Sequence, residues 1–288
     1  MDYGTGKYMI TFSELGRMGL FANQMFQLAT LIGVSEKTGH ELKLPRENTN
    51  HDFGQFYNLA TGKTKHIYME MQECFEVPDK YFAPRAEVMG NIQRQYKEPF
   101  FNFDKNIFDI PDGTDINGFF QSDKYFRDAE STVRSVFTFK PEIQERAKRE
   151  LDKIRQDVPL VSIHVRRGDY VFNSGNHTVV DLDFYSDAIG KFFSDQPYQF
   201  VVFSDDVEWC KNAFEGGYVI DINDARTEMC MMSMCDHHII GNSTFSWWGA
   251  WLNPNPQKIV VAPSQWFGPN IAGKNNIMDV LPQTWFFL

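Results

Sequence analysis

The stretch Val161 to Tyr170, VSIHVRRGDY, passes from apolar to charged within a few residues. Val161, Ile163 and Val165 are β-branched and suit a pleated surface, so the run begins as a buried strand. Arg166, Arg167, Gly168 and Asp169 follow, the pattern of a strand leaving its sheet for a cleft. Side chains alternate along a strand, which puts His164 and Arg166 on one face and Arg167 on the other. Arg166 is therefore the first choice for an anionic ligand, with Arg167 either serving it or holding the loop. Arginines beside an aspartate also fit a purely structural ion pair, and this segment alone does not separate the two.

Two further segments carry compatible chemistry. Gly241 to Ser246 (GNSTFS) offers backbone N–H groups at a helix start together with the hydroxyls of Ser243, Thr244 and Ser246, a cradle for a diphosphate. The same turn also reads as a plain N-cap by Asn242 or Ser243. Ser204, Asp205 and Asp206 end a strand, but the acids are adjacent, which is not the spacing of a metal-binding DxD. Asp181 and Asp183 have that spacing at a helix start, where acids are expected anyway. Asp205 reads better as a cap or a hydroxyl ligand. Cys230, Cys235, His237 and His238 lack a CxxC pair and read as core, so no metal is expected. An arginine with helix-terminal N–H groups neutralises a departing diphosphate without one, which describes glycosyl transfer from a nucleoside diphosphate.

The elements that must position these residues alternate regularly after Leu160. A helix capped by Asp183 is followed by a strand at Gln199 to Phe203 and a helix from Val207 to Phe214. A strand at Tyr218 to Ile222, a Met-rich helix from Thr227 to Cys235, and a strand at His237 to Ile240 come next. A helix through Trp251 and a strand at Lys258 to Ala262 complete the series. Such alternation predicts parallel β/α units with ligands beyond the carboxyl ends of the strands, so His164 to Asp169, Ser204 to Asp206 and Gly241 to Ser246 belong on one rim.

Upstream, Tyr8 to Phe12 predicts a strand, SELGRMGLFA a glycine loop, and Asn23 to Lys37 a helix capped by Asn23. Met25, Leu28, Ala29 and Ile32 form its apolar stripe. Residues 48–115, polar, rich in Phe and Tyr and punctuated by prolines, read as irregular structure with short elements. Pro141 opens an amphipathic helix that Gln156 to Pro159 ends, which places a lobe boundary there.

The 288 residues carry a net charge of −10 and a pI near 5.2, with dispersed basic residues, which argues against nucleic acid or an anionic membrane as partner. Four scattered cysteines, Cys74, Cys210, Cys230 and Cys235, predict reduced thiols and a cytoplasmic setting. No run reaches membrane-spanning length, which leaves peripheral association open.

Taken together, HVRRGDY (164–170), FSDD (203–206), CDHHIIGNSTFSWWGAWL (235–252), GFFQSDKYF (118–126) and NQMFQLA (23–29) resemble the α-1,2-fucosyltransferases, inverting enzymes that use GDP-fucose. The resemblance implies an α/β, GT-B-like fold of two Rossmann-like lobes, 1–156 on the acceptor side and 157–288 holding GDP-fucose. It implies transfer of fucose to the 2-hydroxyl of a terminal galactose on a glycan, with no metal. It carries the diphosphate contact to Arg166, with His164 beside it, and makes Asp169 either a base or an orienting acid. The implied donor site takes in Arg166, Arg167, Asp205, Asn242, Ser243, Thr244, Phe245 and Ser246, with Glu228 reading guanine, and Gly19 and Asn23 contributing from the N-terminal lobe. In this family glycine usually runs directly into NQMFQ, whereas here Leu20, Phe21 and Ala22 intervene, which implies a longer loop. A related transferase of other linkage, or a silent nucleotide-sugar or glycan-binding protein, would share much of this pattern.

Overall fold

The computed structural model describes residues 9–16, 18–46, 55–58, 63–66 and 71–288. Two units are resolved by their internal packing. Met1–Gln55, His66–Thr138 and Asn276–Leu281 form the first, and Phe56–Lys65, Phe139–Asn275 and Pro282–Leu288 the second.

The first unit contains β1 (Leu44–Arg46); β2 (Gln55–Asn58) and β3 (Lys63–His66), which pair with each other, come next in sequence and fall mainly in the Phe56–Lys65 segment of the second unit. β4 (Phe82–Pro84) lies parallel to β1, and β5 (Arg94–Lys97) parallel to β6 (Thr114–Asn117). Ile10 bridges to Leu42 and Thr11 to Asp115, both in parallel sense, so the predicted strand joins the two pairs at these residues. Its expected start, Tyr8, lies outside the described residues, as do Arg17 of the glycine loop and residues 48–54, 59–62 and 67–70 of the stretch read as irregular. The short elements expected in that stretch are β4, α2 (Met71–Cys74), α3 (Arg85–Gly90), β5 and the start of β6. β5 is short and mostly exposed, so no apolar alternation announced it.

α1 (Phe21–Thr38) departs from expectation in two ways. It is buried on every side from Met25 to Val34, including Gln27 and Thr30, rather than along one stripe. A Cβ at Gly33 would stand 2.1 Å from the Tyr125 carbonyl oxygen, so the backbones touch. It also begins at Phe21 with Leu20 as an uncapped N-cap, and Asn23 lies inside the first turn, its N–H bonded to the Leu20 carbonyl at 2.9 Å. Leu20–Ala22 thus extend the helix and not the loop. α4 (Glu130–Val136) closes this unit.

The main segment of the second unit, Phe139–Asn275, opens with α5 (Pro141–Asp152), proline at its first turn as expected, and the predicted break at Gln156 falls inside this unit. Its sheet comprises β7 (Leu160–Val165), β8 (Gln199–Ser204), β9 (Tyr218–Val219), β10 (His237–Ile239), β11 (Val260–Ala262) and β12 (Phe286–Phe287). All pairings are parallel, in the order β12-β11-β10-β7-β8-β9. The chain runs outward from β7 to β9, then returns to β10 on its other side, which is the Rossmann order with its switch point between β7 and β10. β7 is buried along its whole length. α6 (Gly168–Phe172), α7 (Leu182–Phe192), α8 (Val207–Ala213), α9 (Ala225–Ser233), α10 (Thr244–Leu252) and α11 (Pro269–Ala272) complete it. Asp181 caps α7 through the Phe184 N–H at 3.0 Å, two residues before the expected Asp183. α10 buries Trp247 and Trp248, and Gly249 lets it close on Met232.

Candidate active site

The switch point leaves the exits of β7 and β10 adjacent, and the three strand-exit segments His164 to Asp169, Ser204 to Asp206 and Gly241 to Ser246 meet there. His164 is buried on β7, and the Tyr185 hydroxyl donates to its carbonyl at 3.1 Å. Its Nδ1 has no hydrogen-bond partner among the described residues. Burial drives its pKa down to about 4, with Asp205 opposing and Arg166 adding to the shift, so the ring is neutral near pH 7.

Arg166 emerges next and is gripped from two sides. One terminal nitrogen lies 2.9 Å from Asp205 Oδ2, the other donates to Asp169, and the guanidinium sits 5.3 Å from the centre of the Tyr170 ring. Burial disfavours its charge, but the two carboxylates outweigh this and raise its pKa. Arg167 turns away, as strand parity requires. Its Nε donates to Asp206 Oδ2 at 3.1 Å, and its guanidinium stacks 3.8 Å over Trp209. The Arg167 backbone N–H donates to Asp205 Oδ1 at 2.9 Å, so Asp205 fixes both the turn and the Arg166 head. Gly168 makes this close approach feasible, since a Cβ would stand 2.4 Å from Asp205 Oδ2. The helix-capping role considered for Asp205 falls instead to Asp206, which accepts from Trp209 N at 3.4 Å.

Across the switch point, a Cβ on Gly241 would be 3.1 Å from the His164 carbonyl oxygen. Asn242 Nδ2 donates to the Thr178 and Trp266 carbonyls at 2.9 Å each, leaving Oδ1 buried without a partner among the described residues. Ser243, and not Asn242, is the N-cap of α10, accepting from Phe245 N at 3.4 Å. Thr244 is half-buried, and the Phe245 ring lies 5.7 Å from His164. Ser246 is buried, its hydroxyl turned back to the Ser243 carbonyl at 3.2 Å. The hydroxyl-rich turn is therefore partly committed to its own helix.

Glu228 occupies the first turn of α9, where its Oε1 accepts from the Asp224 N–H at 3.3 Å. Asp224 is itself tied by Arg146 at 2.6 Å and Thr227 at 2.8 Å. Gly19 and Asn23 belong to the first unit and touch one another despite the three intervening residues. Gly19 has φ 71°, and a Cβ there would stand 2.3 Å from Asn23 Nδ2. Gln121 Nε2 donates to Asn23 Oδ1 at 2.9 Å.

Sequence reasoning overlooked Tyr170 and His177. The Tyr170 hydroxyl donates to the Asn242 carbonyl at 3.2 Å, linking the β7 and β10 exits, and His177 stacks on its ring at 4.4 Å. Tyr170 lies four residues after Arg166, a one-turn spacing legible in the motif. His177 gave no local signal. The cysteine and histidine group is packing: His238 holds Ser162 Oγ at 2.7 Å and Asn253 Nδ2 at 2.8 Å, one on each ring nitrogen.

The sequence profile of Glycosyl transferase family 11 matches residues 5–278. The chain is 34% identical over 288 aligned positions to an α-1,2-colitosyltransferase of Escherichia coli, covering 93% of this chain and 95% of that one. It is 42% identical over 131 positions to the O-antigen biosynthesis glycosyltransferase WbnK of Escherichia coli, which covers 42% of this chain and 43% of WbnK. The galactoside α-(1,2)-fucosyltransferase 1 of Bos taurus is 24% identical over 81% of this chain and 64% of its own length. The fold is that of POFUT1 solved with GDP, at a TM-score of 0.53 and 13% identity over 89% of this chain and 98% of POFUT1. The chain belongs to glycosyl transferase family 11, and is a glycosyltransferase of α/β, GT-B-like fold.

Proposed function

We propose that the protein transfers fucose from GDP-fucose to the 2-hydroxyl of a terminal galactose, with inversion and without a metal ion. The observation that carries this reading is Arg166, a guanidinium fixed by two carboxylates at a Rossmann switch point opposite the start of α10. A departing diphosphate needs preorganised positive charge, and Arg166 with the N–H groups that open α10 provides it. The acceptor oxygen forms a bond to fucose C1 while the C1–oxygen bond to phosphate breaks, its electron pair leaving with GDP, and the acceptor proton passes to a base. The pairing of Asp205 with Arg166 and of Asp206 with Arg167 supports the metal-free reading, since both carboxylates already have cationic partners.

In this reading Asp169 orients Arg166, His164 lines the site as a neutral ring, and Glu228 reads the guanine edge. The likeness to α-(1,2)-fucosyltransferase 1 supports fucose and galactose, and that to an α-1,2-colitosyltransferase favours a second reading, a donor sugar lacking one of fucose's hydroxyls. Competition between GDP-fucose and GDP-colitose on β-galactoside acceptors in EDTA tests both. Preference for GDP-fucose supports the first reading, and preference for GDP-colitose the second.

A further inference from the structure

The first unit carries its own concentration of unusual chemistry, at the carboxyl end of β5 and β6. Glu98 follows β5 directly, and its carboxylate accepts from Phe119 N at 2.7 Å and Phe120 N at 2.9 Å. Phe120 holds φ at 52°, a left-handed conformation that bulky residues rarely adopt and that recurs at ligand sites. The same turn ties Gly118 O to Gln27 at 3.1 Å, and Gln121 to Asn23. Two large aromatic side chains are left exposed here, Phe119 at 37% and Phe100 at 49%.

Burial raises the Glu98 pKa to about 7 although both N–H bonds work to lower it. The ionisable groups that face it are Tyr96 and Tyr125, phenols raised by burial and therefore neutral. Beyond them lies Asp104, which accepts from Tyr96 at 2.7 Å. A carboxylate beside exposed aromatic rings and amides suits a polyol, whose hydroxyls donate and whose ring faces are apolar. An anionic sugar would meet repulsion from Glu98 and from a chain of net charge −10.

We propose that this rim is a subsite for a neutral acceptor saccharide, with Glu98 accepting hydrogen bonds from its hydroxyls and Phe119 supporting a ring face. The inference rests on the glycosyl-transfer reading above.

The test measures lactose KM at saturating GDP-fucose between pH 6 and 8, for the wild type, Glu98→Gln and Phe119→Ala, with saturation-transfer NMR of lactose alongside. Ionised Glu98 is the better acceptor, so the wild-type lactose KM falls severalfold as pH rises through about 7. Glu98→Gln raises that KM about tenfold and flattens the pH dependence, while GDP-fucose KM and donor hydrolysis are unchanged. Phe119→Ala, an exposed change that spares the fold, raises lactose KM at an unchanged melting temperature. Lactose KM unmoved in both variants overturns the subsite. A wild type that neither transfers nor hydrolyses GDP-fucose overturns the fucosyl reading instead. Lactose NMR signals lost in Phe119→Ala would then still support the subsite, and equal signals would overturn it.

Discussion

Arg166 and Arg167 are neighbours in sequence with opposite tasks. Arg166 offers its head between Asp205 and Asp169, whereas Arg167 is packed on Trp209 and bonded to Asp206. Replacing Arg166 by alanine is expected to lower kcat by a factor of about 10² or more, the scale of losing one oxyanion-stabilising donor, with little change in melting temperature. Arg167→Ala is expected to act chiefly on stability, by roughly 1–2 kcal/mol, through the lost cation–π and charge-assisted contacts. Steady-state kinetics and thermal melting of both variants check this, and equal loss of kcat would contradict the division. Asp205→Asn should lie between them, weakening the grip on Arg166 and cutting kcat about tenfold. The division of the arginines was legible because strand alternation is local. The pairing of Arg166 with Asp205 was not, because it depends on the register of β7 against β8, two segments joined by more than thirty residues.

At the scale of elements, the Rossmann order decides where ligands bind, and the β/α alternation after Leu160 announced it. The first unit's sheet was harder to read. Its strands are short, and among the described residues its central rung pairs through isolated bridges at Ile10 and Thr11. The start of α1 was misplaced because Leu20 caps it without a side-chain hydrogen bond, so the polar Asn23 drew the boundary three residues late. Buried on all sides, α1 depends on close backbone contact at Gly33. Gly33→Ala is expected to destabilise the fold by roughly 2–3 kcal/mol through overpacking against Tyr125, far more than alanine gains in helix propensity. Urea unfolding followed by circular dichroism measures it, and an unchanged midpoint would contradict the packing.

For the molecule as a whole, buried histidines set an acid limit. Burial holds His238 at about 3, with Lys258 and His237 adding to the shift. Its folded pKa lies below the unfolded value near 6.5, so its contribution to stability is complete above that value and is lost as pH falls toward 3. Glu98, raised to about 7, acts in the opposite sense between its unfolded value and 7, so the comparison of wild type with His238→Gln isolates the histidine. The variant should be less stable at pH 7 and show a shallower loss between pH 6 and 4, as read by melting temperature. The α/β class and the rim were visible from strand and helix periodicity. The Glu98 turn was not, since its left-handed Phe120 and paired N–H donors arise only once β5 and β6 are side by side. The most direct test of the account is incubation with GDP-fucose and lactose in EDTA, with NMR determination of the product linkage. The account predicts an α-1,2-fucosylated galactose. Absence of both transfer and donor hydrolysis across β-galactoside acceptors, or activity only on adding a divalent cation, would contradict it.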